Sequence, residues 1–371
     1  MLKISIILLK TVGLSMMAFL LSILPNPLKT EKHRYLYVAV PGIRNYLEYG
    51  GHGLLIYDID NNFSLVKRIS TTGLAPDGTP SNVKGICVSL ATQSVYISTV
   101  HTLQCIDLQT EKLKWEKTYE GGCDRMAISP DGLTIYQPSF EKDNWNIINA
   151  ANGEVIDQVV PKSGAHNTIF GPDGKEVYLE GLKSPFLTVV NAKNPKETRT
   201  VGPFSASIRP FTITHNQKFC FANINDLLGF EVGDLKTGKK LYTVKINGYE
   251  KGVVKRHGCP SHGIGLTPNE KELWVADAFN QRFHYFDATK MPPLQMGSVV
   301  VRDQPGWITF SLDGKYAFPS TGEIIDLKTK KIFTTLKDEN GNPVHSEKVV
   351  EIHFEGSKAV TKGDQFGIGR K

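Results

Sequence analysis

Past Tyr35 the chain is written in short runs in which apolar and polar residues alternate, separated by clusters of Gly, Pro, Asn and Asp. A period of two is the signature of strands with a buried face, and the clusters read as turns. One unit recurs. Residues 126–136 read MAISPDGLTIY, 168–178 TIFGPDGKEVY, 264–274 IGLTPNEKELW and 308–318 ITFSLDGKYAF, with weaker copies at 86–96 and 212–221. Each copy is an apolar strand, a Pro-Asp-Gly-type turn and a returning β-branched or aromatic strand. Proline presets φ at such a turn and Asp-Gly supplies left-handed backbone.

A third strand follows each copy and ends in Asp or Asn, as in LLIYD to Asp58, LQCID to Asp107, WNIIN to Asn149, LTVVN to Asn191 and FHYFD to Asp287. A fourth runs outward, as in KLYTVK at 240–245. Four strands in roughly 40 residues are one propeller blade, and the count around the chain comes to about seven. The spacing predicts an all-β, single seven-bladed β-propeller over 35–371. Blade one, starting at Tyr35, lacks its innermost strand. Residues 349–354 can supply it, closing the ring by joining the two ends of the propeller.

The repeated Ser-Pro-Asp-Gly turn, the Tyr- or Trp-containing return strand and the Asp-ended third strand resemble the YVTN-type, WD40-like propeller family. More distantly they resemble the lactonase-type propellers. The resemblance covers 35–371 and implies the fold. It leaves function open, because such families include enzymes, cofactor binders and scaffolds without chemistry.

The N-terminus breaks the pattern. Residues 4–24 are almost wholly apolar, interrupted by Lys10 and Thr11, and Pro25, Pro27, Lys29, Lys32 and Arg34 follow. Residues 1–34 therefore read as a hydrophobic helix plus linker, a cleaved signal peptide or a membrane anchor. Either places the propeller outside the cytoplasm, periplasmic, extracellular or membrane-anchored, with membrane contact only through this segment. The rest reads as a monomer. The net charge of +6 is mild for 371 residues, and no basic run suits a nucleic acid. The five cysteines form no CxxC, so paired zinc knuckles and c-type haem attachment have no support. No P-loop, HExxH, G-x-S-x-G or EF-hand pattern occurs.

The repeats serve as a ruler for the channel mouth. Six residues before the proline position, successive blades carry Lys84, Asp124, His166, Arg209, His262 and Gly306. One residue further come Gly85, Arg125, Asn167, Pro210, Gly263 and Trp307. Pseudo-symmetry puts each set at one height, opposite the Pro-Asp-Gly turns. His166, Arg209 and His262 come from consecutive blades and suit an anion such as a carboxylate or phosphate. They equally suit acid-base work, with a His as base and Arg neutralising charge. Lys84, Asp124, Arg125, Asn167 and Trp307 are candidate ligand contacts beside them. The long loop 41–53 (PGIRNYLEYGGHG) adds His52, and the corresponding blade-six loop adds Asp277. His257, Cys259 and His262 form an H-x-C-x-x-H run that suits a divalent metal such as zinc or copper, although the spacing also fits an ordinary loop.

Three functions remain open from sequence. The first is a binding propeller that takes a small anionic or polar molecule, or a protein, at the mouth. The second is an enzyme at the same mouth, a lactone hydrolase or sugar-acid lyase with catalytic His166, His262 and Arg209. The third is a scaffold, which has no need of converging His and Arg.

Overall fold

In a computed structural model, residues 31–370 are described. The apolar N-terminal run lies outside the described residues. Among those described, no helix is long and apolar enough to cross a membrane.

The chain folds as an all-β seven-bladed propeller. Six sheets have four strands and one has five. Blade two is typical: Val83–Ser89 is innermost, Ser94–Thr99 and Thr102–Asp107 follow, and Leu113–Thr118 is outermost. Burial falls outward along this order. The inner three strands of the blade are almost wholly buried, whereas the outermost is exposed or half-exposed throughout.

The repeated polar residues have local jobs. At the first turn, Asp131 Oδ1 accepts from Ser129 Oγ (2.5 Å) and from the Leu133 amide (3.0 Å), fixing the Pro-Asp-Gly corner. At the end of the third strand, Asp107 Oδ1 accepts from the Gln109 and Thr110 amides at 2.9 and 2.8 Å. These side chains satisfy backbone donors that the ladder leaves free at a turn. The core lies between blades. Trp145 and Trp274 are fully buried, and Trp145 Nε1 donates to Thr168 Oγ1 of the next blade at 2.8 Å.

Blade one holds both ends of the propeller. Its strand Lys32–Val40 pairs on one side with Gly53–Asp58 and on the other with Val349–Glu355. Pairing starts at Lys32 rather than Tyr35, because a ladder continues through polar residues when a partner strand is present. A fifth strand, Lys358–Lys362, pairs with Val349–Glu355 on the inner side.

Beyond it, the C-terminal segment crosses the channel at the Pro-Asp-Gly end. Gln365 bonds Ile86 N and Met126 O of blades two and three. Thr212 Oγ1 donates to Gly367 O, Gly367 O also accepts from Leu266 N, and Trp307 Nε1 donates to Gln365 O. The segment thus ties five blades together. It lies across the channel at that end, opposite the face where the inner strands begin.

Candidate functional site

The inner strands start at the face opposite the C-terminal segment, and their first residues line one cavity of about 290 Å³. That is the lower end of the range for small-molecule sites, about 300–1,000 Å³. His166, Arg209 and His262 all face it, together with Lys84 and Arg125. So do Arg44, Arg256, His257, Glu141, Glu347 and Lys348. Six Lys or Arg side chains against two carboxylates in the lining leave the cup net positive.

Two ion-pair clusters organise it. In the first, Asp124 is fully buried behind the rim. Its Oδ2 meets His166 Nδ1 at 2.7 Å and its Oδ1 meets Lys84 Nζ at 3.2 Å. Burial alone would raise the Asp124 carboxyl, but His166 and Lys84 outweigh it and hold it below the usual range. The bond at Nδ1 orients the imidazole and leaves Nε2 as its free nitrogen.

In the second cluster, Glu347 is buried at the foot of blade one's inner strand. Its Oε2 accepts from Arg125 Nη2 at 2.9 Å and Lys348 Nζ at 2.8 Å, while Oε1 lies 3.1 Å from His257 Nδ1. Burial pushes this carboxyl up, and Lys348, His257 and Arg125 together pull it well below the usual range. Burial drives the Lys348 amine down to about 7 despite that carboxylate. His262 donates from Nδ1 to Gly306 O at 2.9 Å, and burial holds it well below the ordinary histidine value, so it is neutral.

Arg125 is the centre of the floor. Its guanidinium stacks 3.3 Å from the Trp307 ring centroid, and its Nε donates to Lys84 O. Its Nη1 is buried and has no partner. Trp307 therefore acts as the floor under Arg125 and touches no part of the opening. Below His166, Glu180 Oε2 accepts from Asn167 Nδ2 at 2.5 Å, while Glu180 Oε1 and Asn167 Oδ1 are buried without partners. Burial pushes the Glu180 carboxyl up to about 7, against the smaller opposing pulls of His166, Asn167 and Arg209.

Several residues singled out in the sequence lie elsewhere. Asn167 sits beneath the cavity on Glu180 and does not line it. His52 faces Thr71 Oγ1 at 3.3 Å on the blade-one loop. Asp277 is buried in blade six, accepting from His284 Nε2 and from the amide and side chain of Asn280. It organises its own loop, because an Asx-type turn forms there. Cys259 is buried with Sγ donating to Ser261 O, away from His257 and His262, and burial pushes its thiol up to about 12. All five cysteines are free and buried.

No known protein family model matches the chain. A distant sequence relative is human serum paraoxonase/lactonase 3, 24% identical over 216 residues, covering 55% of this chain. The chain spans about half the length, 50%, of that curated relative. Two solved structures share the fold. Kuenenia stuttgartiensis hydrazine synthase superposes with a TM-score of 0.59 at 14% identity, over 76% of this chain and 88% of that one. Dihydro-heme d1 dehydrogenase NirN, in complex with DHE, superposes with 0.60 at 13% identity, over 90% and 73%. At such identities the likeness is one of architecture.

Glu347, Lys348 and Arg256 were not singled out by the sequence ruler, although Glu347 occupies the ring position of blade one. The ruler needs a Pro-Asp-Gly corner. In blade one the inner strand runs on through His353 to Glu355, where other blades turn. The equivalence shows only in the fold, in the backbone bond from Ala39 N to Lys348 O, which matches that from Ala276 N to Gly263 O in blade six. It makes Glu347 the counterpart of His262. The seventh position is Gly306, where a Cβ would overlap the His257 ring, so His257 fills the place of the missing side chain.

Proposed function

We propose that this chain is an exported binding propeller that holds a small organic anion, a carboxylate or phosphate ester, in the His/Arg cup. The excess of cationic side chains around the cavity carries this reading, with Arg125, Arg209 and Lys84 among its lining. Guanidinium groups favour planar carboxylate or phosphate oxygens through charge-assisted hydrogen bonds. Export rests on the apolar run at 4–24, and the YVTN-type repeat on the recurring Pro-Asp-Gly unit.

Calorimetric titration with a panel of sugar acids, di- and tricarboxylates and sugar phosphates tests it. Arg125→Lys keeps a cation opposite Glu347 but loses the planar fork. At least one anion is expected to bind wild type, with affinity about 10-fold or more weaker in Arg125→Lys, the scale of one charge-assisted hydrogen bond. Equal affinities in the two proteins, or no binding across the panel, contradict the proposal.

A second reading is favoured by the Asp124–His166 pair. An imidazole oriented by a buried carboxylate, with its other nitrogen free, is the arrangement of a general base. Arg209 and Arg125 would then stabilise an oxyanion during lactone hydrolysis or proton abstraction from a sugar acid. The distant paraoxonase/lactonase relative is compatible with this. The same panel, extended to sugar lactones and uronic-acid oligosaccharides, would show turnover lost by about 100-fold or more in His166→Ala. Absent turnover, or turnover indifferent to that change, removes the enzymatic reading.

A further inference from the structure

We propose that His257, His262 and Glu347 form a centre for one divalent transition-metal ion at the side of the cup. Each residue offers one donor atom, and the three atoms lie within 4.8 Å of one another. The hydrogen bonds decide which atoms these are. His257 Nε2 is engaged by Gln304 O at 2.9 Å, which leaves Nδ1, already 3.1 Å from Glu347 Oε1. His262 Nδ1 is engaged by Gly306 O at 2.9 Å, which leaves Nε2.

An imidazole that ligates a metal commonly donates its other N–H to a carbonyl or carboxylate, and that bond sets its orientation. Here both rings are held by carbonyls two positions apart on one loop. The loop itself is fixed by Ser320 Oγ, which accepts from the Gly306 and Trp307 amides. The carboxylate is held in the same way. Arg125 and Lys348 both occupy Oε2, leaving Oε1 toward the rings. Gly306 permits the arrangement, since any side chain there would overlap His257.

Two imidazoles and one carboxylate suit zinc, iron(II), cobalt(II) or manganese(II) rather than calcium or magnesium. All three residues line the cup, so the remaining coordination positions open toward it. The H-x-C-x-x-H run thus contributes its two histidines, while Glu347 from blade one takes the place expected of Cys259. This centre does not depend on the anion proposed above, and each fails or stands on its own measurement.

Full-length protein stripped with a chelator and titrated with cobalt(II), followed by visible absorption, and with zinc, followed by calorimetry, tests the inference. One equivalent per chain is expected to bind saturably, with ligand-field bands of a nitrogen- and oxygen-bound ion. His262→Ala is expected to weaken binding by about 100-fold or more, exceeding the 10–100-fold loss typical of an outer partner. Cys259→Ala is expected to leave it unchanged. Absence of a saturable one-equivalent site in wild type overturns the inference, whatever the variants do. Equal affinity in folded His262→Ala, or loss of binding in folded Cys259→Ala, also overturns it.

Discussion

Metal-free Glu347→Leu is expected to unfold at lower urea concentration than wild type, with a stability loss of about 3–5 kcal/mol. Glu347 is buried, and its Oε2 is shared by Arg125 and Lys348, themselves almost fully buried. Removing the carboxylate leaves Arg125 charged and without its ion-pair partner in a low-dielectric site. Lysine can shed its proton there, but arginine cannot. Adding Arg125→Leu to Glu347→Leu should therefore recover part of the loss, because the second change removes the stranded charge. Additive losses would mean that the two side chains do not interact. An unchanged denaturant slope confirms that the native fold is the one being compared.

Glu180→Gln should stabilise the propeller at pH 8 and leave it nearly unchanged at pH 4. Burial raises the Glu180 carboxyl from an ordinary 4.5 to about 7. Between those values the folded protein holds a proton that the unfolded chain has released. The favourable contribution of neutral Glu180 is full below 4.5 and is lost as pH rises through 7. Glutamine keeps an oxygen for Asn167 Nδ2 and never ionises. The difference between variant and wild type should therefore grow from about zero to on the order of 3 kcal/mol, at about 1.4 kcal/mol for each tenfold change in proton affinity. Taking the difference cancels the opposite trends of Asp124, Glu347 and Lys348. A difference that stays flat from pH 4 to pH 8 would show that Glu180 is not desolvated.

The architecture was legible because each blade repeats the same local chemistry. The Asp of the first turn and the Asx residue ending the third strand both accept from backbone amides that no strand can satisfy, so their spacing marks strand ends directly. The cup was legible at part of the ruler's positions, while Asp124, Asn167 and Trp307 lie behind or beneath it. His166, Arg209, His262, Lys84 and Arg125 do share one cavity. The ruler says nothing about side-chain direction. Asp277 and His52 belong to the right loops, yet their bonds turn them to Asn280, His284 and Thr71. Glu347 was hidden by a blade without the repeated corner. His257 was legible as part of the H-x-C-x-x-H run, but its place beside Glu347 was not, since that depends on the absence of a side chain at Gly306. The channel-crossing segment from Gly363 to Arg370 has no alternating pattern, because its partners are single groups on different blades rather than a neighbouring strand.

The cup's claim to be an anion site can be tested most directly by diffraction from crystals soaked in bromide, using the bromine anomalous signal. The expected result is a dominant peak inside the cavity, with Arg125, His166, Arg209 and His262 around the same space. Bromide found only on the outer surface, or those three side chains turned into separate regions, would contradict it.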